Sequence, residues 1–187
     1  MTAKARSSAF FHKAVADLGA FALAAKPDAL GLADRAFQAL LGSDYGQYDG
    51  LIAALSPALG PAGLERLKQR VIAHGAKKQH RPAQKERRVA AYGSGGPIYQ
   101  DEIEERSRNS AVRLALMEIA DAQGDADAYI AQYEPKTRKV PGIAAEISRR
   151  LRAAGRIEEA WRAVEAAEHS GRRSDLDDLG WHDFRRR

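Results

Sequence analysis

The chain contains no cysteine. Disulfides and thiolate metal sites are therefore excluded, and a reducing compartment is compatible. Aromatic residues are sparse, at 7%, and no apolar run approaches the length needed to cross a bilayer. β-branched residues are scarce and no window sustains strand alternation, so almost no sheet is expected. Lys4 and Arg6 precede the apolar run Leu18 to Ala25, but His12, Lys13 and Asp17 interrupt it. This pattern fits an amphipathic helix and not a secretory signal, so the cytoplasm is the expected location.

What remains is rich in alanine and arginine, which favour helix. The 187 residues suffice for one sizeable core or an elongated stack. A formal net charge of +5 permits nucleic-acid contact without demanding it.

The strongest pattern runs from Pro141 to His169. Ile143, Ile147 and Leu151 recur at i, i+4 and i+8, the apolar face of a helix. Pro141 suits a first helical position, and Gly155 suits the left-handed residue after a last one. Beyond it, Ile157, Ala160, Trp161, Val164 and Ala167 mark the inward face of a second helix. The spacing predicts two antiparallel helices turning at Gly155-Arg156.

Ile147, Leu151, Gly155, Ala160, Val164 and Ala167 together resemble a tetratricopeptide-type repeat: large, large, turn, small, large, small. Ala144 stands where that repeat usually has an aromatic, and Arg172 where it closes with proline. A degenerate copy spans Leu51 to His74, aligning Leu51, Leu55 and Leu59 with Ile143, Ile147 and Leu151, then Leu64 with Ile157 and Val71 with Val164. Pro57 is expected to kink it. With G-D-A-D-A-Y-I-A-Q-Y-E over 124–134, the chain is similar to an uncharacterised family of bacterial helical-repeat proteins whose members run longer. That resemblance implies no activity, and it implies a chain ending within a repeat.

The remaining segments are expected as follows. A first helix runs from a cap at Ser7 or Ser8 to Ala25, with Phe11, Val15, Leu18, Ala22 and Ala25 inward. A second runs from Asp28 to Leu41, with Leu30, Ala33, Phe37, Leu40 and Leu41 inward. Asp44 to Gly50 is a turn with two surface tyrosines. A long helix spans Asp101 to Ala122, carrying surface pairs Glu102–Arg106 and Glu104–Arg108, and it is paired with a short helix around Tyr129, Ile130 and Tyr133. Ser170 to Arg173 is a linker before an unpaired last segment containing Leu176, Leu179, Trp181 and Phe184.

Between these lies a basic segment from Gly75 to Pro97. Lys77, Lys78, Arg81, Lys85, Arg87 and Arg88 oppose only Glu86, an excess of five positive charges. Such a run neutralises phosphates in a nucleic-acid site or forms a solvated linker. Gly93 to Gly96 lacks the G-K-[ST] ending and preceding strand of a phosphate loop, and reads as a hinge. Asp121, Asp125, Asp127 and Glu134 fail the calcium-loop spacing, leaving Asp125 and Asp127 as helix caps. Asp175, Asp177, Asp178, His182 and Asp183 form the one histidine-carboxylate cluster, and helix first-turn aspartates explain it best. The Trp161 and Trp181 side chains are expected in the core, although an indole beside a concave face can anchor a peptide.

The fold expected is all-α: eight or nine helices as stacked antiparallel hairpins in a right-handed, tetratricopeptide-like superhelix. The divisions expected are helical hairpins over 1–74, a linker or insert over 75–99 and further hairpins over 100–187. No catalytic constellation, cofactor site or metal site emerges. The expected function is a protein-interaction scaffold, with Tyr129, Gln132, Glu146, Arg149 and Arg150 lining a groove for a protein or peptide. The alternative is a nucleic-acid module using the basic segment. The last segment offers a route to a homodimer.

Overall fold

A computed structural model describes the backbone of residues 3–41, 48–77 and 81–178, and the side chains of 11–41, 48–77 and 81–168. The protein is mostly helical. Among the described residues there are seven helices and one two-stranded sheet. In order these are α1 (Ala3–Ala25), α2 (Ala29–Leu41), α3 (Leu51–Ala76), β1 (Val89–Gly93), β2 (Gly96–Tyr99), α4 (Gln100–Gln123), α5 (Ala126–Ile130), α6 (Pro141–Ala153) and α7 (Ile157–Asp178). The chain divides into two compact units, residues 1–123 and 124–187.

The first unit is built around α3, against which α1, α2 and α4 all pack. Leu51, Ile52, Leu55, Leu59, Leu64, Leu67 and Val71 are buried along α3. With Val15, Ala22, Ala33, Ala36 and Phe37 from α1 and α2, and Ala115 and Ile119 from α4, they form one core. Gly19 explains why α1 lies so close: a Cβ there would sit 2.5 Å from the Ala54 carbonyl oxygen. The inward stripe of α1 is thus Val15, Gly19 and Ala22, while Phe11, Leu18 and Phe21 are exposed. Periodicity alone weighted the large residues, but only a small side chain fits this approach.

α3 is interrupted at Gly60, whose φ of 58° and ψ of −174° are not helical. Pro57, the expected breaker, stays inside the helical run, and the kink falls at Gly60-Pro61. α1 begins before Ser7 and Ser8, so these residues do not cap it. It ends instead on Lys26, left-handed with φ 46°, whose N–H donates to the Ala22 carbonyl at 3.1 Å. Asp28 caps α2, its Oδ2 accepting from the Gly31 N–H at 2.6 Å.

The second unit is organised by α6 and α7, which pack together as an antiparallel hairpin. Ala144, Ile147 and Leu151 are buried on α6, and Ala160 and Ala167 on α7. Two bonds close α6: Gly155 N–H to Arg152 O at 3.0 Å and Arg156 N–H to Leu151 O at 2.9 Å. With Gly155 at φ 76°, this is a Schellman turn. Asp125 caps α5 through its Oδ1, as expected, accepting from Ala128 N–H at 2.9 Å. Asp127 is no cap; it accepts from Arg156 at 2.7 Å.

α4 packs against α3 in the first unit, and α5 packs against α6 in the second. Further expectations need correction. Ser170 to Arg173 lies inside α7. Within the 75–99 segment, the stretch after Arg88 forms a β-hairpin, with Val89 opposite Tyr99 and Gly93 opposite Gly96. Ile157 and Trp161 face outward, not into the core. Of the expected tyrosine turn, 48–50 is a turn as expected, but Tyr48 is half-buried against the core and not a surface residue. Residues 44–47 of that turn and the terminal Leu179, Trp181 and Phe184 lie outside the described residues, as do the side chains of the terminal histidine-carboxylate cluster.

Candidate functional site

Four of the five expected groove residues meet in the second unit. The Arg150 guanidinium carbon lies 3.6 Å from the Tyr129 ring centroid. Arg150 also donates from Nη1 to the Glu146 carboxylate at 2.6 Å and to the Glu146 carbonyl at 2.9 Å. Arg149 pairs with the same carboxylate. Tyr129 is buried beneath this cluster, and its hydroxyl lies 3.3 Å from that of Tyr133. Gln132 belongs to the same segment, but its amide donates to the Ala128 carbonyl at 3.2 Å. Arg149 and the outer edge of Glu146 are the parts left to solvent.

Nearby, Arg156 joins α5 to the hairpin turn. It donates to Glu159 at 2.8 and 2.7 Å and to Asp127 at 2.7 Å. Those bonds, Glu159 first, hold the Arg156 guanidinium protonated and shift its pKa upward. Glu159 is lowered in turn, chiefly by the Arg156 bond.

The basic residues do not act as one patch. Arg87 stacks 3.8 Å from the Tyr99 ring centroid and donates to Asp101 at 3.1 Å and Glu102 at 2.6 Å. Its side chain is only 7% exposed. Arg81 reaches the same two carboxylates. The Arg87 bonds hold Asp101 and Glu102 below the usual carboxylate range. The same clasp explains why Glu102 does not pair with Arg106, as expected from their spacing. Lys77, Lys85 and Arg88 are exposed, and Lys78 lies outside the described residues. Beyond the clasp the hairpin projects Tyr92, which is 81% exposed.

Sequence reasoning missed a cleft of about 590 Å³ in the first unit, lined from α2, α3 and α4 by residues that include Phe37, Val71, His74, Arg108, Val112 and Glu118. His74 meets Phe37 edge-on, with centroids 5.8 Å apart. Burial lowers the His74 pKa, and the Arg108 and Lys77 charges lower it further. Arg108 donates from Nη1 to the Lys77 carbonyl at 2.8 Å rather than pairing with Glu104. Its Nε is buried without a hydrogen-bond partner among the described residues. Glu118 is raised by burial first, and then by the charges of Asp49 and Asp121. The apolar pattern assigned these helices to a core; it held no signal for a gap between them. Among the described residues no cluster of histidine and carboxylate side chains has the makings of a metal site. Likewise, among them, no helix is long and apolar enough to cross a membrane.

The structure thus defines a mostly helical protein whose polar surface is organised by arginine clasps. The chain belongs to the family of unknown function DUF6880, whose model matches residues 3–186. No match is found among curated proteins or among solved structures.

Proposed function

We propose that this protein is a non-catalytic protein-interaction module that captures its partner on the second unit. The observation that carries the reading is the outer face of α7. Ile157 and Trp161, one turn apart, are 58% and 75% exposed. A large indole left in water beside an isoleucine is the residue type that anchors protein interfaces. Glu158 and Arg162 pair at 3.2 Å alongside them and supply a polar rim. Arg149, Glu146 and Gln132 form a second, charged contact surface, with Tyr129 and Arg150 as its rigid floor. In this reading α6 and α7 are one tetratricopeptide-type hairpin, its alanines permitting the close helix approach. The cytoplasm is the working location.

Nucleic-acid binding through the basic segment ranks second. Arg81 and Arg87 are committed to carboxylates, which reduces the charge left for phosphates. Affinity capture with the full chain, with and without nuclease, tests both readings. Protein partners retained after nuclease and lost on Trp161→Ala with Ile157→Ala support the first. Partners lost with nuclease alone, or a Kd for nucleic acid falling steeply with salt, support the second.

A further inference from the structure

The cleft of the first unit has two ends of different character. Arg108 and Glu118 are ten residues apart on α4, which places them about 15 Å from each other along the helix. At the Arg108 end stand His74 and the exposed Lys77. Among the described residues the Arg108 side chain has a hydrogen-bond partner for Nη1 alone, the Lys77 carbonyl. No carboxylate among the described residues forms an ion pair with it, although Glu104 lies one turn earlier. Glu104 instead accepts from Gln100 at 2.9 Å. The Arg108 Nε is also buried without an acceptor among the described residues, an uncompensated loss of hydration for a charged group. Nη2 has no acceptor among the described residues and is left to donate to an anion in the cleft through a charge-assisted bond. At the other end Glu118 stands near Asp49, and like charge there repels an anionic head. Between the ends the lining is apolar: Phe37, Leu40, Val71, Val112 and Leu114. The volume falls within the range of about 300–1,000 Å³ typical of small-molecule sites.

We propose that this cleft binds a small amphipathic anion, of the class of a medium-chain fatty acid, with its carboxylate on Arg108 and its alkyl chain along Phe37, Val71 and Val112. The unpaired guanidinium selects the sign of the head group, and the acidic far end fixes its direction. The apolar walls between them select a single flexible chain.

Calorimetric titration of the full chain with decanoate tests this, with decylammonium as the opposite-sign probe. Decanoate binds the wild-type chain, and decylammonium binds at least about tenfold more weakly. Arg108→Gln weakens decanoate by about tenfold or more, the loss expected for a charge-assisted bond. Ala111→Phe, at an exposed position on the lining, fills the cleft and weakens it comparably. Melting curves of both variants establish that they fold; if Arg108→Gln does not, Ala111→Phe decides. The proposal is overturned if decanoate fails to bind, if decylammonium binds as well, or if a folded variant binds decanoate unchanged.

Discussion

α3 and the α6–α7 pair carry similar apolar spacing and adopt different geometries. Each has large residues four apart, then a glycine, then a further apolar series. Gly60 and Gly155 both take positive φ, at 58° and 76°. After Gly155 comes Arg156, whose N–H reaches back to Leu151 O and closes the helix, so the chain reverses. After Gly60 comes Pro61, which has no N–H to give and is preorganised to start a helix. The chain therefore kinks and continues. Arg156 thus offers a backbone donor at the turn where Pro61 offers none. The burial differs too. Leu51, Leu55, Leu59, Leu64 and Val71 are all buried, because three helices pack on α3. Their counterparts Ile157 and Val164 are exposed and half-buried.

Leu67→Ala in α3 is expected to have the largest effect, about 2–5 kcal/mol of lost stability by urea denaturation, because Leu67 is fully enclosed. A smaller loss than at Leu151, which is also buried, would contradict the difference in enclosure. Gly155→Ala should cost about 1–2 kcal/mol, since any side chain is strained in the left-handed region. Arg156→Pro should cost more than Arg156→Ala by the same measurement, because both lose the bonds to Glu159 and Asp127 and proline alone also removes the donor that closes the turn. Equal costs would mean that conformation alone, and not the closing bond, makes the hairpin. Lys26 ends α1 at positive φ and, among the described residues, is the one residue other than glycine to do so, so Lys26→Gly should stabilise by about 1 kcal/mol.

The smallest effect expected is at Glu118. Burial raises its folded pKa above the unfolded value. The protonated form is therefore the favoured one in the fold, and its contribution is present at low pH and lost as pH rises through the raised value. Glu118→Gln should raise Tm modestly at neutral pH and leave it nearly unchanged well below the ordinary carboxylate range. A Tm gain at both pH values would point to packing instead.

Much of the helical content was legible because stripes such as Leu51, Leu55 and Leu59 require a buried face. The turn at Gly155 was legible because its chemistry is local. The hairpin over 89–99 was not, although V-A-A-Y and P-I-Y flank a glycine-rich turn, the usual sign of paired strands. Its alanines and nearby charges resembled a linker. Trp161 was misplaced because periodicity shows which residues share a face, not whether another element covers it. The candidate groove was legible only as a set of positions. That Arg150 would lie on Tyr129, and that Arg87 would bind Asp101 and Glu102, depends on folding that brings separated segments together. The cleft was invisible for the same reason, since a gap between helices leaves no mark in their hydrophobic pattern.

The Arg87 clasp anchors the hairpin at its base, where Gln100 N–H also meets Arg88 O at 2.9 Å. Strand β1 is exposed along its whole length, and the Ser94-Gly95 tip makes no demand on the helices. That tip is therefore a natural splice point: an epitope or fluorophore-bearing peptide inserted there should leave the melting behaviour of the helical body intact.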